Sequence, residues 1–281
     1  MSQSADQREI DAPYDLRAAV PDYETYFAQW RRDSARALES PGWRRDIAYG
    51  RDASERLDIF TPPGAQRRPV HVFFHGGYWR ALGKDEFSFV ALWQPPGGVV
   101  TVVVNYALCP DVTIDDIIAQ CGRAIAWIGG GIAAYGGDPE RIYVTGHSAG
   151  GHIAAMLMLT NWGARGARPV RGGMAISGIF DLEPVRRTFL NADLRLTADD
   201  ARRNSPLRLM RPFVGALAVA VGDGETTAFR DQSRDFVAAA AAAGNRCTLV
   251  VVPGAHHYSI LDAFVDGGHP LSRALRETME M

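Results

Sequence analysis

Cysteine is scarce in this 281-residue chain. Cys109, Cys121 and Cys247 lie far apart and are odd in number, which argues against a disulfide framework and against the short ligand spacings of a zinc site. Reduced, mostly buried thiols are the expected state. Excess charge is absent as well: 30 basic residues face 32 acidic ones, a formal charge of −2, with both signs mixed along the chain. There is thus no electrostatic footprint for nucleic acid or an anionic membrane, and the expected partner is a small molecule. The opening stretch MSQSADQREIDAPYDLRAAV has no apolar run that could serve as a signal peptide or membrane span, so the expected location is the cytoplasm. Internal repeats are lacking, and Ala238–Ala243 is simply good helix former.

What is present is a chain 47% hydrophobic, enough for one large core, so a single domain over 1–281 is expected, compatible with a homodimer. A helical N-terminal segment covers 1–45. There, Tyr23, Tyr26, Phe27, Trp30 and Leu38 share a helix face until Pro41-Gly42 stops it. A hairpin is expected from the runs Asp46–Tyr49 and Arg56–Phe60. From Val70 onward, apolar runs without period-two alternation (VHVFF, VVTVVVNY, RIYVTG, GGMAISG, LAVAVG, CTLVVVPG) alternate with helical stretches. Such runs suit strands buried on both faces of a parallel sheet, so the fold class is α/β: a mostly parallel central sheet flanked by helices. Helices are expected over Glu86–Gln94, Thr113–Tyr135, Ala149–Thr160, Ala228–Ala243 and Ser259–Met279, with a frayed or kinked stretch at Gly129-Gly130-Gly131. The polar stretch 181–212 reads as a cap-like helical insertion over the site.

Within VTGHSAGGHIAAMLML, Gly146-His147-Ser148-Ala149-Gly150 is a G-x-S-x-G directly between a strand and a helix. A sharp turn there holds a serine in a strained conformation, and only small residues two before and two after leave room for it. The helix start also aims N–H groups and positive dipole at whatever Ser148 attacks. Upstream, HGGYW follows the first buried strand. Its glycines weaken any regular element, yet they make sense if the N–H groups of Gly77 and Tyr78 join that of Ala149 in an oxyanion hole. His75 is expected to brace that loop, and His152 to pack, not react. Asp138 reads as a turn residue before Pro139.

Two late strands end in Asp223-Gly224-Glu225 and Ala255-His256-His257-Tyr258, where a carboxylate and an imidazole would assemble with the serine. Three residues past Gly222, Glu225 can reach back to a histidine; Asp223 would then cap the turn but stays open as the acid. His257 is favoured as base, with His256 as the alternative. In these roles His257 takes the Ser148 proton, Glu225 fixes the imidazole, and the oxyanion rests on the three N–H groups. No metal and no organic cofactor are expected.

The segments HGGYWRALGKDEF, VVVNYALCP, GHSAGGHIAAML, SGIFDLEPV with the later ARRNSP, and FRDQSRDF resemble the arylformamidases (kynurenine formamidases) of the α/β-hydrolase superfamily. They run from about Val70 to His257, and YDLRAAVPDY near the N-terminus is similar too. GHSAG is shared by a great many esterases; HGGYW with SGIFDLEP is narrower. The resemblance implies the α/β-hydrolase fold, Ser148, Glu225 and His257 at the triad positions, and HGGYW as oxyanion loop. It also implies hydrolysis of N-formylkynurenine to kynurenine and formate through a formyl-serine. Some members carry aspartate as the acid, so glutamate departs in length. YGGDPERI is similar to lipase-type esterases, which makes a carboxylesterase on short acyl or aryl esters the alternative. Tyr78, Trp79 and Phe180 are the aromatics expected to flank an aryl ring.

Overall fold

Unbroken valine runs make the middle of the sheet. Val70, Val72, Phe73 and Phe74 on one strand and Val100, Val102, Val103 and Val104 on its neighbour are fully buried, as strands covered on both faces require. The computed structural model describes residues 5–165 and 170–281; residues 1–4 of the expected N-terminal segment lie outside them. Its strands are β1 (Trp43–Ala48), β2 (Arg56–Phe60), β3 (Arg68–Phe74), β4 (Val100–Val104), β5 (Gly137–His147), β6 (Val170–Ile176), β7 (Ala216–Gly222) and β8 (Arg246–Val252). They form one sheet in the order β1-β2-β4-β3-β5-β6-β7-β8. β1 and β2 are the expected hairpin, added antiparallel to β4. From β4 to β8 every pairing is parallel.

The chain leaves β3 toward β4 on one side and returns to pair β5 on the other, a strand-order reversal of the kind that opens a crevice at the carboxyl ends of the strands. Register sets what meets there. Phe74 pairs with Gly146, so the loop after β3 emerges beside the turn after β5. His147 pairs with Ile176 and Gly222 with Val252, which brings the ends of β6, β7 and β8 to the same edge.

Helices follow the expected pattern with physical adjustments. The helix Ile114–Gly131 opens on a reciprocal cap: Thr113 Oγ1 accepts the Asp116 N–H at 3.2 Å, and Asp116 Oδ2 accepts the Thr113 N–H at 3.0 Å. The α-helix runs through Gly129-Gly130 and ends at Gly131, where the expected weak stretch gives way to a 3-10 turn over Ile132–Tyr135. Ile114–Tyr135 is long and apolar enough to cross a membrane, yet its Ile117, Cys121, Ile125 and Ile128 are buried in packing on β5 and the helix Ala149–Leu159. The expected helix at Glu86–Gln94 is a 3-10 segment, Lys84–Leu92. The long helix expected over Ser259–Met279 is two, Ile260–Val265 and Pro270–Thr278. Gly267-Gly268 separates them, and Pro270, which lacks an N–H, starts the second.

Asp138 is not a turn residue: it lies in β5, and both of its carboxylate oxygens accept from Arg67 Nη2 at 3.1 Å. Lys84, the sole lysine of the chain, is buried among Asp46 (2.8 Å), Asp58 (3.1 Å) and Asp85 (2.6 Å). Asp58 itself is fully buried and accepts from Trp43 Nε1 at 3.2 Å, so neither charge is left bare. This cluster fastens the β1–β2 hairpin to the segment that follows HGGYW. All three cysteines are free, Cys109 and Cys121 buried and Cys247 half-buried.

Candidate active site

Ser148 stands between β5 and the helix Ala149–Leu159 with φ 58° and ψ −118°, a left-handed backbone that a non-glycine residue adopts only at a cost. The glycines around it are required by contact. A Cβ on Gly150 would lie 1.9 Å from the Phe74 carbonyl oxygen, and one on Gly146 would lie 2.2 Å from the Gly150 carbonyl oxygen. The turn therefore packs directly on the end of β3.

HGGYW lies against it. Gly77 has φ 111°, and Tyr78 and Trp79 have φ 50° and 57°, so the loop turns through three successive residues with positive φ. Among the described residues none accepts a hydrogen bond from the N–H of Gly77, Tyr78 or Ala149. His75 does brace the loop: its Nδ1–H donates to the Gly76 carbonyl at 2.8 Å, its carbonyl accepts from the Tyr106 hydroxyl at 2.7 Å, and its ring stacks on Tyr106 at 4.0 Å.

His257 Nδ1–H donates to Glu225 Oε2 at 2.8 Å, with both side chains almost wholly buried. Glu225 Oε1 accepts from Ser177 Oγ at 2.6 Å and from the Gly222 N–H at 2.8 Å. A buried carboxylate that accepts three hydrogen bonds is held firmly in place. Asp223 is exposed and accepts the Gly254 N–H at 2.7 Å, so it fastens the turn after β8. His256 points elsewhere, with Nε2 at 3.0 Å from the Tyr26 hydroxyl. His152 donates from Nε2 to the Asn204 carbonyl at 2.7 Å and packs edge-on against Trp79.

Ser148 and His257 line one cavity of about 230 Å³ together with Gly76, Gly77 and Tyr78. With Nδ1 engaged by Glu225, Nε2 is the imidazole nitrogen available for proton transfer. Among the described residues, Ser148 Oγ makes no hydrogen bond. The rest of the lining is largely aromatic: Tyr14, Phe27, Trp30, Phe87, Phe189 and Tyr258.

Two expected substrate contacts are corrected. Trp79 and Phe180 are fully buried and do not line this cavity. Trp79 packs on His152, and Phe180 stacks on Phe236 at 4.4 Å. The roof is also shared differently from expectation. The 181–212 stretch, built of the short helices Glu183–Arg186, Asn191–Leu194 and Ala198–Arg203, contributes Phe189 and Leu190, while Tyr14, Leu16, Phe27 and Trp30 come from the N-terminal segment. That segment is tied down where the Tyr14 carbonyl accepts the Tyr78 hydroxyl at 2.9 Å and the Tyr14 hydroxyl accepts Gln232 Nε2 at 3.0 Å.

Two supporting residues escape a sequence reading. Ser177 anchors Glu225; its signal is its place directly after β6, inside SGIFDLEP. His147, the variable position of G-x-S-x-G, donates from Nε2 to the His257 carbonyl at 2.8 Å. Burial holds His147 well below the usual imidazole range and pushes His75 and His152 down to about 4. Below the unfolded value near 6.5, the unfolded chain binds protons that these folded imidazoles refuse. Stability is therefore full above about pH 6.5 and falls as pH drops toward 4. The expected loss between pH 7 and 4.5 is on the order of several kcal/mol, read as a falling urea midpoint; an unchanged midpoint would refute it.

A parallel sheet with a strained serine turn at its strand-order reversal is the architecture of α/β hydrolases. The model of the alpha/beta hydrolase fold matches residues 71–261. A kynurenine formamidase of Danio rerio is 34% identical over 237 residues, covering 82% of this chain and 80% of its own. An isoprenylcysteine alpha-carbonyl methylesterase of Arabidopsis thaliana is 28% identical over 242 residues, covering 76% of this chain and 56% of its own. The crystal structure of a thioesterase candidate from Silicibacter sp. TM1040 superposes with a TM-score of 0.84 at 29% identity, covering 95% of this chain and 98% of that one. The protein is a hydrolase. Within the α/β hydrolases the chain belongs to the kynurenine formamidase family.

Proposed function

We propose that this hydrolase cleaves an aryl formamide, N-formylkynurenine, to kynurenine and formate, with Ser148 as nucleophile, His257 as base and Glu225 as its partner. The observation that carries this is the convergence on one aromatic-lined cavity of a serine at a strained turn, a carboxylate-bonded imidazole and unpaired N–H groups. Relationship to the Danio rerio kynurenine formamidase supports the substrate.

In this mechanism His257 Nε2 takes the Ser148 hydroxyl proton as Oγ attacks the formyl carbon. The resulting oxyanion is stabilised by the N–H groups of Gly77, Tyr78 and Ala149. His257 then gives its proton to the anilide nitrogen, the C–N bond breaks, and the amine leaves with a formyl group on Ser148. A water molecule, deprotonated by His257, repeats the sequence and releases formate. An aniline leaving group is less basic than an alkylamine, so its expulsion demands less of the acid. The formyl group needs little space beside the glycine loop, while the aromatic wall suits the ring. The substrate is a small molecule, and the proposed compartment is the cytoplasm.

Relationship to the Arabidopsis thaliana methylesterase favours a second reading, a carboxylesterase on short esters using the same residues. Side-by-side kinetics separate the two. The expected result is a kcat/KM for N-formylkynurenine roughly tenfold or more above that for 4-nitrophenyl acetate; the reverse order would assign the protein to esters.

A further inference from the structure

Three charged side chains line the cavity besides His257: Asp15, Arg17 and Arg80. They are not equivalent. Arg80 is ion-paired with Asp193 and lies over the Phe189 ring, with Cζ 5.8 Å from its centroid, so its charge is already answered within the fold. Arg17 is exposed, and among the described residues no carboxylate lies within ion-pair distance of it; its recorded contact is the Tyr23 ring, 5.1 Å from Cζ to centroid. A guanidinium laid on an aromatic face keeps its planar fork of donors free for a carboxylate.

The position of Arg17 is also built. It sits on the short helix Leu16–Ala19, where Asp15 Oδ1 caps the Ala18 N–H at 3.1 Å and Leu16 is buried. One residue before Asp15, the Tyr14 carbonyl accepts the hydroxyl of Tyr78. The segment bearing Asp15 and Arg17 is therefore fastened to the same loop that presents the bare N–H groups to Ser148. Opposite charges two residues apart, facing an aromatic cavity, match a zwitterion attached to an aryl group.

We propose that Arg17 and Asp15 form a subsite for the amino-acid head of the substrate, the guanidinium binding the α-carboxylate and the aspartate the α-ammonium. This subsite selects aryl amides bearing an α-amino acid over plain formanilides, because a site organised for a charged group loses that interaction with a ligand lacking it. The inference rests on the aryl formamidase reading, but its test does not.

The test measures competitive inhibition of 4-nitrophenyl acetate hydrolysis by L-kynurenine and by 2-aminoacetophenone, the same aryl ketone without the amino-acid head. The wild-type enzyme is compared with Arg17→Met, Arg17→Lys and Asp15→Asn; asparagine keeps the oxygen that caps Ala18. The expected result is stronger inhibition of the wild type by kynurenine. Arg17→Met should weaken the kynurenine inhibition constant roughly ten- to hundredfold relative to that of 2-aminoacetophenone. Arg17→Lys should recover part of this loss, and Asp15→Asn should show a smaller loss of the same kind. Equal inhibition of the wild type by the two amines, or parallel changes for both in Arg17→Met, would overturn the subsite. Turnover of N-formylkynurenine is measured separately: if it is absent while kynurenine still inhibits through Arg17, the substrate assignment fails and the subsite stands.

Discussion

Replacing Ser148 with alanine is expected to lower kcat by roughly five orders of magnitude and to abolish covalent labelling by a fluorophosphonate probe. Nothing in the fold should be lost. The Ser148 backbone holds its place through an N–H to the Ile176 carbonyl at 2.8 Å, and its side chain makes no hydrogen bond that alanine would break among the described residues. A circular dichroism spectrum and melting temperature matching the wild type would establish that folding is intact. Labelling that persisted in such a folded variant would assign the nucleophile to another serine.

The second large effect separates two carboxylates that stand two residues apart. Glu225→Gln is expected to cost roughly three to four orders of magnitude in kcat, because the isosteric amide removes the charge that stabilises imidazolium while offering an NH₂ donor where Ser177 Oγ or His257 Nδ1 now donates. Asp223→Asn retains a carbonyl oxygen for the Gly254 N–H on the surface and is expected to change kcat by less than about threefold. Steady-state kinetics on both variants decide the matter, and the opposite ranking would make Asp223 the acid.

Much of the site was legible because its requirements are local. A serine between glycines at a strand end, and bare glycines after an earlier strand, reflect packing within a few residues, and parallel register then brings the two turns together through Phe74 and Gly146. The reach argument for Glu225 over Asp223 rests on chain length past Gly222 and needs no distant contact. Depth in the fold is different. Nothing in the order of residues distinguishes Tyr78, which faces the cavity, from Trp79, which turns into the core against His152. Phe180 follows β6 toward the site, but its ring stacks on Phe236 of a later helix, a partner no local pattern names. The same holds for Tyr14, Phe27 and Trp30, whose place in the roof depends on contacts with distant loops. The split at Gly267-Gly268 was visible as composition, and a continuous helix there underweights two glycines followed by proline.

The roof over Ser148 has a temporal consequence. Tyr14, Leu16, Phe27 and Trp30 of that roof lie near one end of the sequence and the imidazole near the other, so a growing chain carries this part of the wall long before it carries the base. Closure of the cavity waits on contacts of very long sequence separation, the slowest kind to form. Hydrolysis should therefore appear only in the last phase of refolding, which makes catalytic turnover a stricter gauge of native assembly than any spectroscopic signal from the sheet.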